Sequence, residues 1–520
     1  MNLARDLELR AAEAGGRTAL THEDGRAWTF AELEGEIGAV ARALARHGVC
    51  RGDRVAIYTR NGPDIVRLLY AAWKLGAVPV TISGLYNGAE LAESLGKTRP
   101  RLLVADDHAT AALDEATART GIAALVGDGA DVPGRTPLGA GAPEAVTAVE
   151  VAADEEACIL FTGGTTGSPK AVSVTHGGVQ ESLARLARVS TGREGPYPPV
   201  AEGVAPNLIA LPLFHSGGQH SLLFAFRVGR SVVLWDRFRV ETLRTLLARH
   251  RFDNLFLLPT MLFDLVHAKE ALDLGSVRSV LIAGQALGPH LRRRFEERYG
   301  VPIVMNYGST ETGHVAGWTS ADMRAGLWKP GSAGRVYPGV ELEVRGDDGA
   351  ALPAGEPGEI VVRTSMAKGY VDDAEATSAL VRDGWVHSGD IGYVDPDGVL
   401  FLVGRKRDMI KCGGFQVWPE EIEEELRAHP LVADLRVIGV PDERLGEIPR
   451  AEVVRAPDPA VSDDELAARL VALARERLAH FKAPRSVVFV AEIPRSATGK
   501  VSRQTGDAAA PAAVAEGAAR

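Results

Sequence analysis

The segment 162–170, TGGTTGSPK, has the composition of a phosphate-binding loop. It follows the apolar run 157–161, which predicts a strand that leads into the loop. Glycines let backbone N–H groups close on anionic oxygens, hydroxyls add donors, and Lys170 adds a positive charge. A Walker loop is excluded because Gly167 is followed by Ser-Pro-Lys. We expect phosphate contacts from Thr162, Gly163, Gly164, Thr165, Thr166, Gly167 and Lys170, with an unliganded surface loop as the alternative.

Polar residues in three other glycine-containing segments suit the same chemistry. Thr310 and Glu311 lie in NYGSTETG, Asp390 lies in GWVHSGD, and Lys500 lies in PRSATGKVSR. Hydroxyls donate to phosphate oxygens, carboxylates bind divalent cations, and a lysine adds positive charge beside a phosphate group. Taken alone, the two carboxylates also fit helix starts or turns, and Lys500 also fits a solvated turn.

Seven segments, in this order along the chain, resemble the adenylate-forming enzymes and in particular their acyl-CoA synthetase branch. They are TGGTTGSPK (162–170), LPLFHSGG (211–218), NYGSTETG (306–313), GEIVVRT to KGY (358–370), GWVHSGD (384–390), GRKRDMIKCGG (404–414) and PRSATGKVSR (494–503). The pattern departs from the family at Gly163, where serine is common, and at Ser388, where threonine is common. The resemblance implies a ligase that converts an acid and ATP to acyl-AMP and pyrophosphate and then transfers the acyl group to CoA.

The resemblance also implies catalytic and metal-binding roles. Lys500 matches the lysine that bridges the substrate carboxylate and the α-phosphate. Glu311 matches a carboxylate associated with Mg²⁺, and Thr310 matches a residue near the α-phosphate. ATP and Mg²⁺ are the implied cofactors of this step, and CoA is the implied co-substrate of the next.

Three more residues match ligands of the nucleotide. Tyr307 resembles the residue that packs on adenine, and Asp390 and Arg405 resemble the ribose ligands. The residue types suit this role, because a carboxylate accepts hydrogen bonds from a diol and a guanidinium adds fixed donors.

The segment 404–414 carries the residues that the resemblance links to the second half-reaction. Asp408 matches the pivot about which a small domain rotates after pyrophosphate leaves. Lys411, Gly413 and Gly414 then face the adenylate, and the glycines leave room for a pantetheine arm. A tight hairpin that merely needs glycine is the alternative for the glycine pair. No nucleophilic side chain is required, so Cys412 is not expected to be a covalent catalyst.

The acid is expected to lie against the segments 214–220, 258–261, 283–286 and 306–314. The candidate pocket residues are His215, Gln285, Asn306 and Gly308, and further polar side chains nearby are Gln219, His220 and His314. A fatty chain needs only apolar walls, so this polar set favours an aryl or arylacrylic acid with hydroxyl or amino groups. For His215, simple packing against apolar neighbours is the alternative.

The acceptor and even the class of protein have alternatives. CoA is implied by the resemblance, but a carrier-protein phosphopantetheine thiol, an amine or another nitrogen nucleophile such as nitrite stays open. Outside this class, the chain could be an ADP-forming ATPase or kinase, or a silent nucleotide-binding module. The products distinguish these classes, since a ligase releases AMP and pyrophosphate, a kinase leaves ADP, and a silent module gives neither.

The elements that must position these residues predict an α/β fold. A capping box at Thr29 and Glu32 begins an amphipathic helix, and the strands and helices that follow favour a mostly parallel sheet. From about Glu341, short alternating runs with turn signals predict a β-rich subdomain of hairpins. A small α+β unit after Pro430 includes a helix predicted over 463–480.

These elements divide the chain into predicted domains. We expect a large N-terminal adenylation domain of layered sheets and helices over 1–403, a hinge over 404–410 and a small mobile α+β lid domain over 411–506. An alanine-rich stretch over 507–520 is expected to be a disordered tail.

Composition limits the partners and the compartment. Lys and Arg number 58 against 68 Asp and Glu, so the formal charge of −10 argues against a nucleic-acid or anionic-membrane surface. Three cysteines without a CxxC pair argue against a disulfide framework or a cysteine-ligated zinc site. The N-terminus lacks the apolar core of a signal peptide, which predicts a cytoplasmic protein without a membrane anchor. The oligomeric state is left open, a homodimer included.

Overall fold

The structure is a computed structural model that describes residues 1–108, 110–127, 132, 135–162, 170–198, 201, 203–284, 287–456, 461–495 and 501–503. Its helices within these residues are Arg5–Ala14 (α1), Phe30–Arg46 (α2), Pro63–Lys74 (α3), Gly88–Thr98 (α4), Thr110–Thr120 (α5), His176–Thr191 (α6), Ser216–Arg227 (α7), Val240–Arg249 (α8), Pro259–His267 (α9), Pro289–Tyr299 (α10), Ser320–Arg324 (α11), Ala374–Leu380 (α12), Pro419–Arg427 (α13) and Asp463–Arg477 (α14).

Its strands within the same residues are Thr18–His22 (β1), Ala27–Thr29 (β2), Arg54–Tyr58 (β3), Val78–Thr81 (β4), Leu102–Ala105 (β5), Ala124–Val126 (β6), Thr136–Pro137 (β7), Glu156–Thr162 (β8), Lys170–Thr175 (β9), Asn207–Ile209 (β10), Val232–Leu234 (β11), Asn254–Leu257 (β12), Ser279–Ile282 (β13), Ile303–Ser309 (β14), Gly313–Gly317 (β15), Ser332–Val336 (β16), Glu341–Arg345 (β17), Gly358–Arg363 (β18), Ala367–Tyr370 (β19), Val381–Arg382 (β20), Trp385–Val394 (β21), Val399–Arg405 (β22), Ile410–Cys412 (β23), Phe415–Val417 (β24), Val432–Asp442 (β25), Gly446–Arg455 (β26) and Ser486–Phe489 (β27).

An eight-stranded sheet in the order β19-β9-β8-β4-β3-β5-β6-β7 is the first layer of the large N-terminal part. Neighbours from β8 to β7 are parallel, and β9 pairs antiparallel with β8 and β19. Alternation along β3 sends Val55 and Ile57 into the core with α2 and α3, and Ala56 and Tyr58 into the core with α4 and α5. Helices therefore cover both faces, and the predicted α/β layer with a mostly parallel sheet is confirmed here.

A ten-stranded sheet forms the second layer, and it is mixed. Its order is β12-β13-β14-β15-β16-β22-β21-β18-β17, with β20 beside β21. Only β12 to β14 are parallel, because the hairpins of the β-rich region extend the sheet with antiparallel strands. The turn at Asp397-Gly398 joins β21 to β22. A smaller sheet, β10-β11-β1-β2, completes this part of the described chain.

The sequence locates two helix starts correctly. Thr29 Oγ1 accepts a hydrogen bond from Glu32 N at 3.2 Å, and the Glu32 carboxylate accepts one from Thr29 N at 2.8 Å, which completes the capping box of α2. Ser462 Oγ likewise accepts a bond from Glu465 N at the start of α14. The end of α14 falls earlier than predicted, because Leu478 has an extended backbone.

A five-stranded sheet, β24-β23-β26-β25 with β27 beside β26, lies after residue 409 and packs with α13 and α14. Its apolar core contains only residues from Ile410 onward. The chain passes from the ten-stranded sheet at Arg405 to this sheet at Ile410, where the hinge is predicted. The predicted tail over 507–520 lies outside the described residues. No helix in the described part of the chain combines the length and apolarity needed to cross a membrane.

Candidate active site

The turn between β14 and β15 presents Thr310 and Glu311. A Cβ at Gly308 would lie 2.1 Å from Gly313 O, so this close approach requires glycine. Ser309 N donates a hydrogen bond to Thr312 Oγ1 at 3.0 Å, and the Thr312 side chain is fully buried. The turn is therefore held by contacts among its own residues.

Asp390 and Arg405 face each other across β21 and β22. Arg405 Nε lies 2.8 Å from Asp390 Oδ1, and Tyr307 Oη donates a hydrogen bond to Asp390 Oδ2 at 2.8 Å. The charge of Asp390 raises the pKa of Arg405, and burial together with that charge raises the pKa of Tyr307 well above its ordinary value. Tyr307 therefore stays protonated and donates. The two predicted ribose ligands are brought into direct contact.

The Tyr307 ring lies in an apolar cluster with Val315, Ile360 and Leu400. The structure thus gives Tyr307 a contact that the sequence does not predict, since its hydroxyl holds the carboxylate of Asp390. Its packing on adenine stays a prediction.

Tyr370 links Glu311 to the base of the glycine-rich loop. Its Oη donates a hydrogen bond to Glu311 Oε1 at 3.3 Å, and Lys170 Nζ lies 4.9 Å from its ring centroid. Burial, assisted by the charge of Glu311, raises the pKa of Tyr370, so its hydroxyl remains a donor. Lys170 pairs with Thr162 across β8 and β9. The predicted contacts Gly163, Gly164, Thr165, Thr166 and Gly167 lie outside the described residues.

The role of Tyr370 is not predicted from the sequence, although the residue ends the KGY segment that carries part of the resemblance. A tyrosine in that segment could have been tested as a partner of a motif carboxylate. The contact itself requires β19 to pair with β9, which no local pattern indicates.

Glu311 has the chemistry expected of a magnesium ligand. Its carboxylate is partly buried, and Tyr370 is its hydrogen-bond donor at one oxygen. No group of three or more His, Cys, Asp or Glu side chains that could hold a metal occurs within the described residues. A site with one protein carboxylate fits Mg²⁺, which uses one or two carboxylates together with substrate phosphates and water.

Thr310 also contacts the start of α7. Its Oγ1 lies 3.0 Å from Ser216 Oγ, and His215 is the N-cap residue of the helix, with its ring 5.6 Å from that of Phe214. A Cβ at Gly218 would lie 2.2 Å from Pro212 O, so this helix start requires glycine. The predicted α-phosphate residue and the predicted mouth of the acid pocket therefore meet at the contact between Thr310 and Ser216.

Polar side chains lie farther along α7 and β14. The rings of His220 and His314 are 5.3 Å apart, and His314 Nδ1 lies 3.4 Å from Asn306 Oδ1. Asn306 Nδ2 donates a hydrogen bond to Tyr337 Oη at 3.1 Å. Burial lowers the pKa of His220 to about 4, and burial with nearby positive charge lowers that of His314 to about 3, so both rings are neutral near pH 7.

The structure gives a different outcome for each of the remaining predicted pocket residues. Gly308 lies under the turn described above. Gln219 donates its amide to Leu213 O and Thr81 Oγ1, so its hydrogen-bonding capacity is used within the protein. Gln285 lies outside the described residues.

The turn after β22 holds the predicted pivot. Arg503 Nη1 lies 3.5 Å from Asp408 Oδ2 and 3.2 Å from Glu420 Oε1, and its Nη2 lies 2.8 Å from Glu423 Oε1. One arginine near the C-terminus thus ties the turn to the start of α13. Lys500 itself lies outside the described residues.

The residues predicted for the thiol step form a hairpin. Gly413 and Gly414 connect β23 to β24 with φ values of +59° and +85°. Two positive φ angles in a two-residue loop require glycine or a similarly permissive residue, so hairpin geometry alone accounts for the pair. Lys411 is exposed, and its backbone N donates to Glu447 Oε2 at 2.8 Å. The pantetheine role of these residues stays a prediction.

Comparisons with known proteins extend over nearly the whole chain. The family model for AMP-binding enzymes matches residues 7–371, and the model for the AMP-binding enzyme C-terminal domain matches residues 421–500. The chain is 33% identical over 502 residues to a feruloyl-CoA synthase of Amycolatopsis sp, covering 95% of this chain and 96% of the relative.

Solved structures are similar over the same extent. One is the anthranilate CoA ligase AuaEII in complex with anthranoyl-AMP, with a TM-score of 0.85, 27% identity, and coverage of 96% of this chain and 95% of that chain. Another is the amide bond synthetase McbA from Marinactinospora thermotolerans, with a TM-score of 0.83, 30% identity, and coverage of 96% and 97%.

Proposed function

The chain belongs to the AMP-binding enzyme family and is an AMP-forming acid–CoA ligase, and we propose that its substrate is an aromatic or arylacrylic acid. The acid and ATP give acyl-AMP and pyrophosphate, and CoA then takes the acyl group and releases AMP. The observation that carries the proposal is the contact between Thr310 and Ser216, which joins the candidate nucleotide groups to the candidate acid pocket.

The first half-reaction needs the carboxylate of the acid to attack the α-phosphorus while charge develops on the phosphate oxygens. We assign binding of the ribose hydroxyls to Asp390 and Arg405, whose direct pairing supports this role. Glu311 would hold Mg²⁺, which neutralises phosphate charge when it is bound. Thr310 and the glycine-rich loop would donate to phosphate oxygens, and Lys500 would bridge the two reacting groups.

The second half-reaction needs the adenylate carbonyl to be exposed to the CoA thiol. We assign the pivot to Asp408, which lies on the connection between the ten-stranded and five-stranded sheets. Rotation there would replace the segment that carries Lys500 with the hairpin that carries Lys411, Gly413 and Gly414. The separate apolar core of the small sheet supports such a movement, because rotation would leave that core intact.

An aromatic acid is supported by two observations. A relative that covers nearly the whole chain is a feruloyl-CoA synthase, and a similar solved structure is an anthranilate CoA ligase. The side chains of His220, Asn306 and His314 lie together, and a plain alkyl chain against them would leave the buried His314 Nε2 without a hydrogen-bond partner in the described residues.

The proposal is tested by incubating the protein with ATP, Mg²⁺ and a panel of aliphatic and aromatic acids, with and without CoA. We expect pyrophosphate release that depends on an aromatic acid, and an acyl-CoA product detected by mass spectrometry when CoA is present. A reaction without acid is the control. ADP as the sole nucleotide product contradicts the ligase, and a preference for aliphatic acids contradicts the substrate assignment.

A second candidate acceptor is an amine or another nitrogen nucleophile, and the similarity to the amide bond synthetase McbA favours testing it. Carrier-protein phosphopantetheine is tested in the same assay. The acyl-AMP is formed first, and CoA, a phosphopantetheinylated carrier protein, an amine and nitrite are then added separately. Faster AMP release with an amine than with CoA would favour the nitrogen acceptor.

A further inference from the structure

One polar atom on α6 and one on β15 have no hydrogen-bond partner in the described part of the chain. They are Arg185 Nε and His314 Nε2, and both are buried. Ser216, which contacts Thr310, and His220 are about one turn apart on α7, a rise of about 6 Å along the helix axis. His314 contacts the ring of His220. His314 is thus linked, through the ring of His220, to a point one helical turn from Ser216 at the predicted mouth of the acid pocket.

Helix α6 places Arg185 beside His314. Ser182 Oγ accepts a hydrogen bond from His314 N at 2.9 Å, and Arg185 lies three residues later on the same helix face. Burial lowers the pKa of the Arg185 guanidinium, which shows that its charge is partly desolvated. A buried donor on a cation is unfavourable without an acceptor, so a ligand acceptor at this place would be bound strongly.

The hydrogen bonds of Asn306 assign the tautomer of His314. Asn306 Nδ2 donates to Tyr337 Oη, so Asn306 Oδ1 faces His314 Nδ1 at 3.4 Å and accepts its proton. Because the ring is neutral, its other nitrogen then carries a lone pair and no hydrogen. His314 Nε2 is thus an acceptor without a donor, whereas Arg185 Nε is a donor without an acceptor.

We propose that Arg185 and His314 together receive a hydroxyl group on the aromatic ring of the acid, at the end remote from the reacting carboxylate. The inference rests on the proposed function. A hydroxyl accepts from Arg185 and donates to His314, so it satisfies both atoms at once. A second carboxylate would accept from Arg185 but would set its lone pairs against that of His314. A ring hydrogen would satisfy neither atom.

The test compares wild type with Arg185→Met and Arg188→Met by acid-dependent pyrophosphate exchange. Arg188 lies on the same helix but pairs with Glu194 and donates to Pro338 O at the surface, which makes it a matched control. Each variant is measured with a ring-hydroxylated arylacrylic acid, its unsubstituted analogue and its carboxy-substituted analogue. The unsubstituted acid reports whether the altered protein folds and adenylates.

We expect wild type and Arg188→Met to use the hydroxylated acid with a kcat/KM at least about tenfold above that of the unsubstituted acid. In Arg185→Met this preference should shrink to about twofold or less, mainly through a higher KM for the hydroxylated acid. The variant His314→Phe should also reduce the preference for the hydroxylated acid. If Arg185→Met loses activity on every acid, the measurement on His314→Phe decides the result.

Other outcomes overturn the inference in distinguishable ways. Equal use of hydroxylated and unsubstituted acids by wild type removes the hydroxyl site but leaves the proposed function intact. A preference of wild type for the carboxy-substituted acid contradicts the assignment of Arg185 Nε as the donor and His314 Nε2 as the acceptor for one hydroxyl group. A preference for the hydroxyl that survives in both Arg185→Met and His314→Phe assigns it to other residues. Failure of wild type to activate any aromatic acid removes the proposed function and this inference together.

Discussion

The two ends of the candidate active site differ in how their polar groups are satisfied. At the nucleotide end, Asp390 is held by Tyr307 and Arg405, and Glu311 is held by Tyr370. At the acid end, Arg185 and His314 each keep a buried atom without a partner in the described residues. The first end is organised by the protein itself, whereas the second is completed only by a ligand. Nucleotide binding should therefore tolerate many acids, while the acid end selects among them.

The largest effect on activity is expected from substitution of Lys500, which would contact both the nucleotide and the acid. Lys500→Ala should lower the rate of acyl-AMP formation by about 10²- to 10³-fold, because a positive group near the developing phosphate charge is removed. ATP binding should persist, since the other predicted phosphate contacts lie before residue 404. Pyrophosphate exchange measures the first quantity and nucleotide titration measures the second.

Lys482→Ala is the matched control, because this lysine of the small part pairs with Glu421. It should retain adenylation. Unchanged adenylation in Lys500→Ala would contradict the assignment of Lys500 as the residue that bridges the substrate carboxylate and the α-phosphate.

The next largest effect is expected from substitution of Asp390, and it should be confined to nucleotide binding. Asp390→Asn removes the charge that pairs with Arg405 and weakens the acceptor for Tyr307, so the KM for ATP should rise by about ten- to a hundredfold. The order of preference among acids should not change. Steady-state kinetics with varied ATP at saturating acid provides the measurement.

Asp395→Asn tests whether loss of any aspartate in the hairpin of β21 and β22 has this effect. Asp395 pairs with Lys329 and caps the turn before β22, away from the candidate ribose ligands. Its KM for ATP should stay within about twofold of wild type. A comparable rise in both variants would assign the effect to the strands and not to the carboxylate of Asp390.

The difference between the two ends also explains what the sequence could predict. Asp390, Arg405 and Glu311 lie in short motifs that carry their chemistry locally, and the structure brings the first two into direct contact. The paired glycines of 404–414 were also recognisable, although hairpin geometry accounts for them without a ligand. Strand and helix patterns predicted the α/β layer, the β-rich hairpins and the small α+β unit because each depends on local periodicity.

The acid end could not be predicted in the same way, because its contacts depend on packing between distant segments. Arg185 comes near His314 only because α6 lies against β15, more than a hundred residues later, where His314 N donates to Ser182 Oγ. Gln219 was expected among the polar pocket residues, but its amide is consumed by Leu213 O and Thr81 Oγ1. The orientation of a side chain on a buried helix is decided by tertiary contacts that residue type does not reveal.

A smaller effect concerns the stability of the acid end as the pH falls. His220 and His314 have folded-state pKa values of about 4 and about 3, below the ordinary 6.5 of histidine. The unfolded chain therefore binds more protons below pH 6.5, and the free energy of unfolding should fall as the pH decreases from about 6.5 to 4. His220→Phe removes one titrating group and should make this fall shallower, by about 2 kcal/mol at pH 4.5.

Denaturant unfolding at several pH values measures this slope. The interval from pH 8 to 9 is the internal control, because both histidines are almost entirely neutral there in the folded and unfolded states. An unchanged slope between pH 6.5 and 4.5 in His220→Phe would contradict the burial of a neutral imidazole beside His314.

The smallest effect is expected at Cys412, which lies in the conspicuous segment 404–414 but at neither end of the site. Its side chain is 2% exposed, packs in the core of the small sheet and has a pKa raised by burial, so it remains a protonated thiol. Cys412→Ala should therefore keep both half-reactions within about twofold of wild type while lowering the free energy of unfolding by about 1 kcal/mol. Acyl-AMP and acyl-CoA formation are measured separately. Loss of acyl-AMP formation in a Cys412→Ala protein that still unfolds cooperatively would show that the thiol takes part in the chemistry. The residues assigned to the nucleotide end would then not account for adenylation by themselves.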